Sequence, residues 1–353
     1  MITYWQEKNK KLVSMEKSEL DPERNTWVDA RCVTRDDIKE LQETYNIDQE
    51  HLLDILDPDE LSRLEKNEEA GYTLTILRLP VFSPSDDVSY FTAPLGIVTE
   101  GRMFITICWT DCEVLKDFAA NRIKEISLRD FPAFTIRFMA RADIMFLRYL
   151  KELNRRATTI QNEMLHAVEN HELVQLLNIQ KSLVYFSTSL KTNQMLLEKF
   201  RKTRIIKLDE EDQDWIDDVE IDNRQALEMA DTYTNIMAQM NDASASLISN
   251  NLSIVMKRMT IISLVIAIPT FITSFFGMNI PLPFANNGWL GFFAILLMCI
   301  LSSFAGAVLL SKNSKYASST AVNRKKKNRT QYKAEKKQKK YIKAQEKLAE
   351  KRK

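Results

Sequence analysis

Glycine occurs only seven times in the 353-residue chain, and before residue 277 only Gly71, Gly96 and Gly101 are found. That leaves no phosphate-cradling glycine loop and no nucleophile elbow. Histidine occurs three times, as His51, His166 and His171, with no H-E-x-x-H pair. The four cysteines, Cys32, Cys108, Cys112 and Cys299, have no framework spacing. They read as free thiols in a reducing compartment, and Cys108 and Cys112 have no histidine beside them to complete a zinc site. No enzyme signature is present. Two further absences shape the chain. Residues 133–268 contain neither proline nor glycine, which predicts long uninterrupted helices. Residues 259–311 contain no charged side chain and no histidine, a tract too long for one buried helix and suited to two bilayer crossings.

Within that tract, Met259–Phe276 and Trp289–Leu310 each reach across a hydrocarbon layer of roughly 30 Å as a helix, the first only just. Between them Gly277-Met278-Asn279, two prolines and Gly288 predict a short polar loop, because lipid would leave its backbone groups unpaired. Lys257 and Arg258 precede the first span. A dense basic tail follows the second, with 17 Lys or Arg against 3 Glu in residues 312–353. The positive-inside rule then puts both termini in the cytoplasm of a multi-pass cell-membrane protein, with the loop outside. Met1-Ile2-Thr3-Tyr4-Trp5-Gln6-Glu7 does not read as a signal peptide.

The first 130 residues predict a mixed α/β domain. Trp27–Val33, Tyr72–Val81, Ser89–Val98 and Met103–Cys108 read as strands, and Asp36–Tyr45 and Gln49–Leu56 as short helices with Asp36 and Asp48 as caps. Two long helices follow, from Phe134 to about Val168 and from about Glu172 to Lys202. After them nine carboxylates crowd into Asp209–Asp222. From about Ile216 an apolar stripe recurs every three or four residues and runs without a breaker into the first span, which predicts one helix to Phe276. So narrow a stripe needs partner helices, from within the chain or from other copies.

The sequence F-F-G-M-N, Phe275 to Asn279, closes the first of two C-terminal spans behind a large acidic, helical region. D-I-L-D-P-D-E at Asp54–Glu60, followed by S-R-L-E, adds a second likeness in the N-terminal region. The chain resembles the CorA family of divalent-cation channels. That resemblance implies an α/β N-terminal cytoplasmic domain with long stalk helices and a two-helix transmembrane domain, assembled as a homopentameric funnel. The expected domains are residues 1–130, 131–258 and 259–311, with a basic cytoplasmic tail at 312–353. It also implies passage of Mg²⁺, with Co²⁺ or Ni²⁺ as alternatives, under control of intracellular Mg²⁺. A zinc transporter on the same scaffold and a non-conducting membrane sensor are the rivals. Met278 favours magnesium, since the zinc branch carries G-V-N. The implied partners are further copies of the chain, membrane lipids and divalent cations, without nucleic acid.

Gly277, Met278 and Asn279 are expected to form the outer mouth. Mg²⁺ gives up water reluctantly, and an uncharged Asn279 amide oxygen can accept from its hydration shell. As bare residues, Gly277 would be a left-handed helix cap and Met278 would pack. Counting inward, Ser274, Thr270, Ala267, Ser263, Thr260, Met259, Met256 and Ser253 fall on one stripe. Its hydroxyls suit a hydrated ion, and Met256 and Met259 suit an apolar gate that closes by dewetting. The plain alternative is that the hydroxyls bond helix carbonyls and the methionines fill space. Regulatory Mg²⁺ is expected at Asp218, with Asp217 beside it and Asp86 and Asp87 as partners from the N-terminal domain. The same carboxylates also suit an ordinary acidic helix start. Three features depart from the family pattern: Ser253 stands where Asn is common, Pro269 directly precedes Thr270, and the loop after Asn279 lacks an acidic residue.

Overall fold

The computed structural model describes residues 1–84, 86–124, 126–164, 170–203, 205–206, 208–278 and 288–308. The chain divides into two compact units, Met1–Ala245 and Ser246–Lys353.

The first unit is built on seven strands, β1 (Ile2–Lys8), β2 (Lys11–Met15), β3 (Thr26–Arg31), β4 (Arg63–Lys66), β5 (Thr73–Phe82), β6 (Tyr90–Glu100) and β7 (Met103–Cys108). They form one sheet in the order β2-β1-β3-β7-β6-β5-β4. All neighbours are antiparallel except β3 and β7. A parallel pair needs a crossover, and the chain makes it through α1 (Arg35–Tyr45), α2 (Gln49–Leu56) and the hairpin strands β4 to β6.

Side chains alternate across the strands, so the sheet serves two cores. Val28, Ala30, Ile76, Val98 and Ile105 pack with Leu41 of α1 and with Leu52 and Ile55 of α2. Gly96 on β6 makes this possible, because a Cβ there would lie within the Ile55 side chain. On the other face Trp27, Leu79, Leu95 and Phe104 meet α3 (Glu113–Ala119), α4 (Phe131–Met164), α5 (Asn170–Lys202) and the first part of α6 (Glu210–Phe276). An aromatic cluster ties β3 and β7 to α3 and α4. Phe118 and Phe138 stack at 3.7 Å, and Trp27 meets both rings and Phe134 edge-on.

Local chemistry explains where the elements begin. Thr34, not Asp36, caps α1 in a reciprocal box with Asp37, since it stands three residues before a carboxylate that can reach back. Asp48 caps α2 as expected, accepting from the Glu50 N–H at 3.0 Å. Asp130 accepts from the Ala133 N–H, so α4 starts ahead of the expected Phe134, with Pro132 tolerated in its first turn. Asp209 and Asp212 exchange backbone-to-carboxylate bonds of 3.2 and 2.8 Å. They start α6 six residues before Ile216, so most of the carboxylate segment is helix rather than a break. Strands β1, β2 and β4 and helix α3 were not expected. Cys32 is left-handed, which ends β3 at Arg31 rather than Val33.

In the second unit α6 ends at Phe276 and a further helix, α7, spans Gly288–Val308. Both contain an apolar window with mean hydropathy above 2, and almost none of either window is buried within the chain. The helices pack on each other. Cys299 Sγ lies 4.0 Å from the Pro269 carbonyl oxygen, and a Cβ on Gly306 would stand 3.1 Å from Ile268.

Candidate functional site

From Ile261 onward the half-buried residues of α6 are Ile261, Val265, Ile268, Pro269, Ile272 and Phe276. They are spaced at threes and fours, form one face, and include the Pro269 and Ile268 contacts with α7. Ser253, Met256, Met259, Thr260, Ser263, Ala267, Thr270 and Ser274 are all exposed. At about 100° per residue this set centres on the side of α6 opposite the α7 seam. The expected stripe is therefore a real face of the helix, and nothing in its own chain covers it among the described residues.

Three of the five hydroxyls of the stripe have their protons committed. Ser253 Oγ donates to the Ser249 carbonyl at 3.0 Å, Thr260 Oγ1 to Met256 at 2.8 Å and Thr270 Oγ1 to Ile266 at 2.9 Å. The backbone bonding that served as the plain alternative is thus present, and it leaves the oxygens' remaining lone pairs as acceptors. Met256 and Met259 are each 62% exposed, so neither fills space within this chain.

At the end of α6 the Gly277 N–H bonds the Thr273 carbonyl at 3.0 Å, and the Met278 N–H reaches Phe275 at 3.4 Å. The positive-φ glycines are Gly71, Gly101 and Gly288. Gly277 is therefore not the left-handed cap, because it still makes a helical bond. A Cβ there would meet only ordinary contacts, the nearest at 3.4 Å, so the single chain does not require glycine. Met278 is 52% exposed rather than packed. Asn279 lies outside the described residues, as does the tail at 312–353.

The acidic candidates behave differently from one another. Asp217 pairs with Arg201, which also holds Glu220 at 3.1 Å. Asp218 is exposed, with no partner among the described residues. Asp86 and Asp87 are exposed on the β5–β6 turn, and Asn178 of α5 donates to the Asp87 carbonyl at 2.8 Å. Asp87 also lines a cleft of about 840 Å³ against α4 and α5. No contact within the chain joins this turn to Asp217 or Asp218 among the described residues.

A convergence that sequence reasoning missed lies at the start of α6. One carboxylate oxygen each from Asp130, Asp209 and Asp212 falls within 4.8 Å of the others. Burial, opposed by the Asp209 N–H bond and reinforced by the charges of Asp130 and Asp209, pushes the Asp212 carboxyl up. Helix capping accounts for all three: Asp130 caps α4 while Asp209 and Asp212 cap α6. The sequence signal was present, since each is an acidic residue just ahead of a helix or in its first turn, but nothing in the order of residues placed the two helix starts together.

An α/β unit whose last helix continues into an unburied apolar pair defines a class of membrane protein with a large domain outside the bilayer. The chain belongs to the CorA-like Mg²⁺ transporter family, whose model matches residues 22–312. Transport of Mg²⁺ is the activity that membership carries. The cobalt/magnesium transport protein CorA of Methanocaldococcus jannaschii is 24% identical over 79% of this chain and 87% of its own. The complete structure of the CorA magnesium transporter from that organism superposes with a TM-score of 0.69 at 21% identity, covering 88% of this chain and 96% of the other. The cytoplasmic domain of ZntB from Vibrio parahaemolyticus gives 0.55 at 10% identity over 70% of this chain and 98% of its own. The last two show a shared fold.

Proposed function

We propose that the chain assembles as a homopentamer in the cell membrane, with both termini in the cytoplasm, and passes hydrated Mg²⁺ along the exposed stripe of α6. The relative's name pairs cobalt with magnesium, and Co²⁺ is the second ion to test. The observation that carries the reading is the stripe itself, exposed on the side away from α7, with Ser253, Thr260 and Thr270 spending their hydroxyl protons on helix carbonyls. A hydrated cation presents water O–H donors outward. Acceptor-only oxygens match that shell without replacing it, and they offer an anion nothing. Toward the cytoplasm Met256 and Met259 form the apolar constriction that closes by dewetting. At the outer end Asn279 supplies a ring of amide oxygens, and Gly277 keeps the mouth free of side chains.

Regulation rests on carboxylates brought together between copies. Asp218 is the stronger ligand candidate of the adjacent pair, because Asp217 is already held by Arg201. Asp86 and Asp87 of a neighbouring copy complete the site. Bound Mg²⁺ offsets the repulsion between acidic stalk starts and favours the closed assembly, and few carboxylates give the weak affinity that suits a plentiful ion.

The test is uptake into vesicles. Asn279→Ala abolishes Mg²⁺ flux while chemical cross-linking still reports five copies. A charged thiol reagent blocks flux through Thr270→Cys and spares Ile272→Cys on the α7 side. Normal flux in Asn279→Ala, or equal block at both cysteines, removes the pathway reading.

A further inference from the structure

Asp143 of α4 and Asn223 of α6 are buried against each other, at 2% and 0% exposure. Asn223 Nδ2 donates to Asp143 Oδ1 at 3.0 Å. The Asn223 Oδ1 atom is equally buried and has no partner. An ionised Asp143 can only accept, so it would leave that oxygen orphaned and would itself be a buried charge held by one neutral donor. Both problems vanish if the carboxyl keeps its proton.

We propose that Asp143 is protonated in the folded chain and donates to Asn223 Oδ1, closing a reciprocal acid–amide pair that latches α6 onto α4. Burial first, and then the negative charge of Asp222, hold this carboxyl well above the usual range, against the one bond from Asn223. Among the described residues no other charged group of α3, α4, α5 or α6 acts on it. Arg141, two residues earlier on α4, is committed to Asp117 of α3 at 2.8 Å. Val219 and Ala226, one turn to either side of Asn223, belong to the first unit's main core, so the latch sits within the buried part of α6. It places a proton-sensitive element on the helix that also carries the stripe.

The sign follows from the raised folded value. The latch stabilises fully below the unfolded carboxyl's pKa of about 3.9. Its contribution is lost progressively as pH rises from there toward the folded value, and the proton then leaves the folded state as well. The experiment uses the full chain in detergent, comparing the parent with Asp143→Asn, which keeps both hydrogen bonds but cannot ionise. The infrared difference between the two at pH 7 should contain a protonated-carboxyl stretch that disappears in alkali. The unfolding equilibrium of the parent relative to Asp143→Asn should worsen by about tenfold per pH unit across that window. Asn223→Leu, which removes the acceptor, should shift the same infrared band without abolishing it. A spectrum with no protonated-carboxyl band at pH 7, or a parent-to-variant ratio that is flat with pH, overturns the proposal.

Discussion

Up to Ala245, α6 buries Ile216, Val219, Ala226, Ala230, Met237 and Met240 in the core of the first unit. From Ser246 onward the same helix leaves Leu252, Val255, Met256, Ile262, Ile266 and Phe271 exposed. The first stretch has its apolar partners within the chain; the second has only α7, along one seam. Apolar side chains that stay exposed along two helices need another medium, which a membrane supplies; in the proposed assembly other copies of α6 cover the face opposite α7. Single-chain burial therefore separates the part of the helix that stabilises the fold from the part that carries the proposed pathway.

Substitutions on either side of Ala245 should keep that separation. The largest effect is expected deep in the first unit. Phe138→Ala removes the ring stacked on Phe118 and should destabilise the unit by about 3–5 kcal/mol, measured by denaturant unfolding of the full chain. Gly96→Val drives a side chain into Ile55 and should cost about 1–3 kcal/mol in the same assay. Met256→Ser should leave unfolding within about 0.5 kcal/mol of the parent. On the proposed pathway its effect belongs to transport, where a wetted constriction should leak at the internal Mg²⁺ expected to close the parent. If Mg²⁺ binds there as proposed, Asp218→Lys should weaken its protection of α6 against protease, with no change in unfolding without the ion. The smallest effect is expected for Phe271→Ala, with unfolding again within about 0.5 kcal/mol. A large loss of stability there would mean that this part of the helix is held by its own chain after all.

Much of the fold was legible because its signals are local. The absence of breakers from 133 to 268 pointed to the long helices, and the uncharged tract to the membrane pair. What escaped depends on pairing at a distance. β1 and β2 read as ordinary N-terminal sequence until Tyr4 is set against Val28 and Met15. The Thr34 cap was missed because Asp36 is also a good cap residue, and only the box with Asp37 decides between them. For the stripe, periodicity gave the face, but which direction that face looks is set by Cys299 and Gly306 on another helix. The convergence of Asp130 with Asp209 and Asp212 is likewise tertiary, joining residues far apart in sequence.

Pro269 lies inside α6 and has no N–H to offer the Val265 carbonyl. The helix therefore lacks one rung between the inner part of the stripe and Thr270. A shaft with a missing rung bends there more readily than elsewhere. On the proposed pathway, Met256 and Met259 can thus swing through a gating angle while Thr270, Ser274 and the mouth keep their spacing. Opening and selecting become mechanically separable tasks, divided by one imino acid.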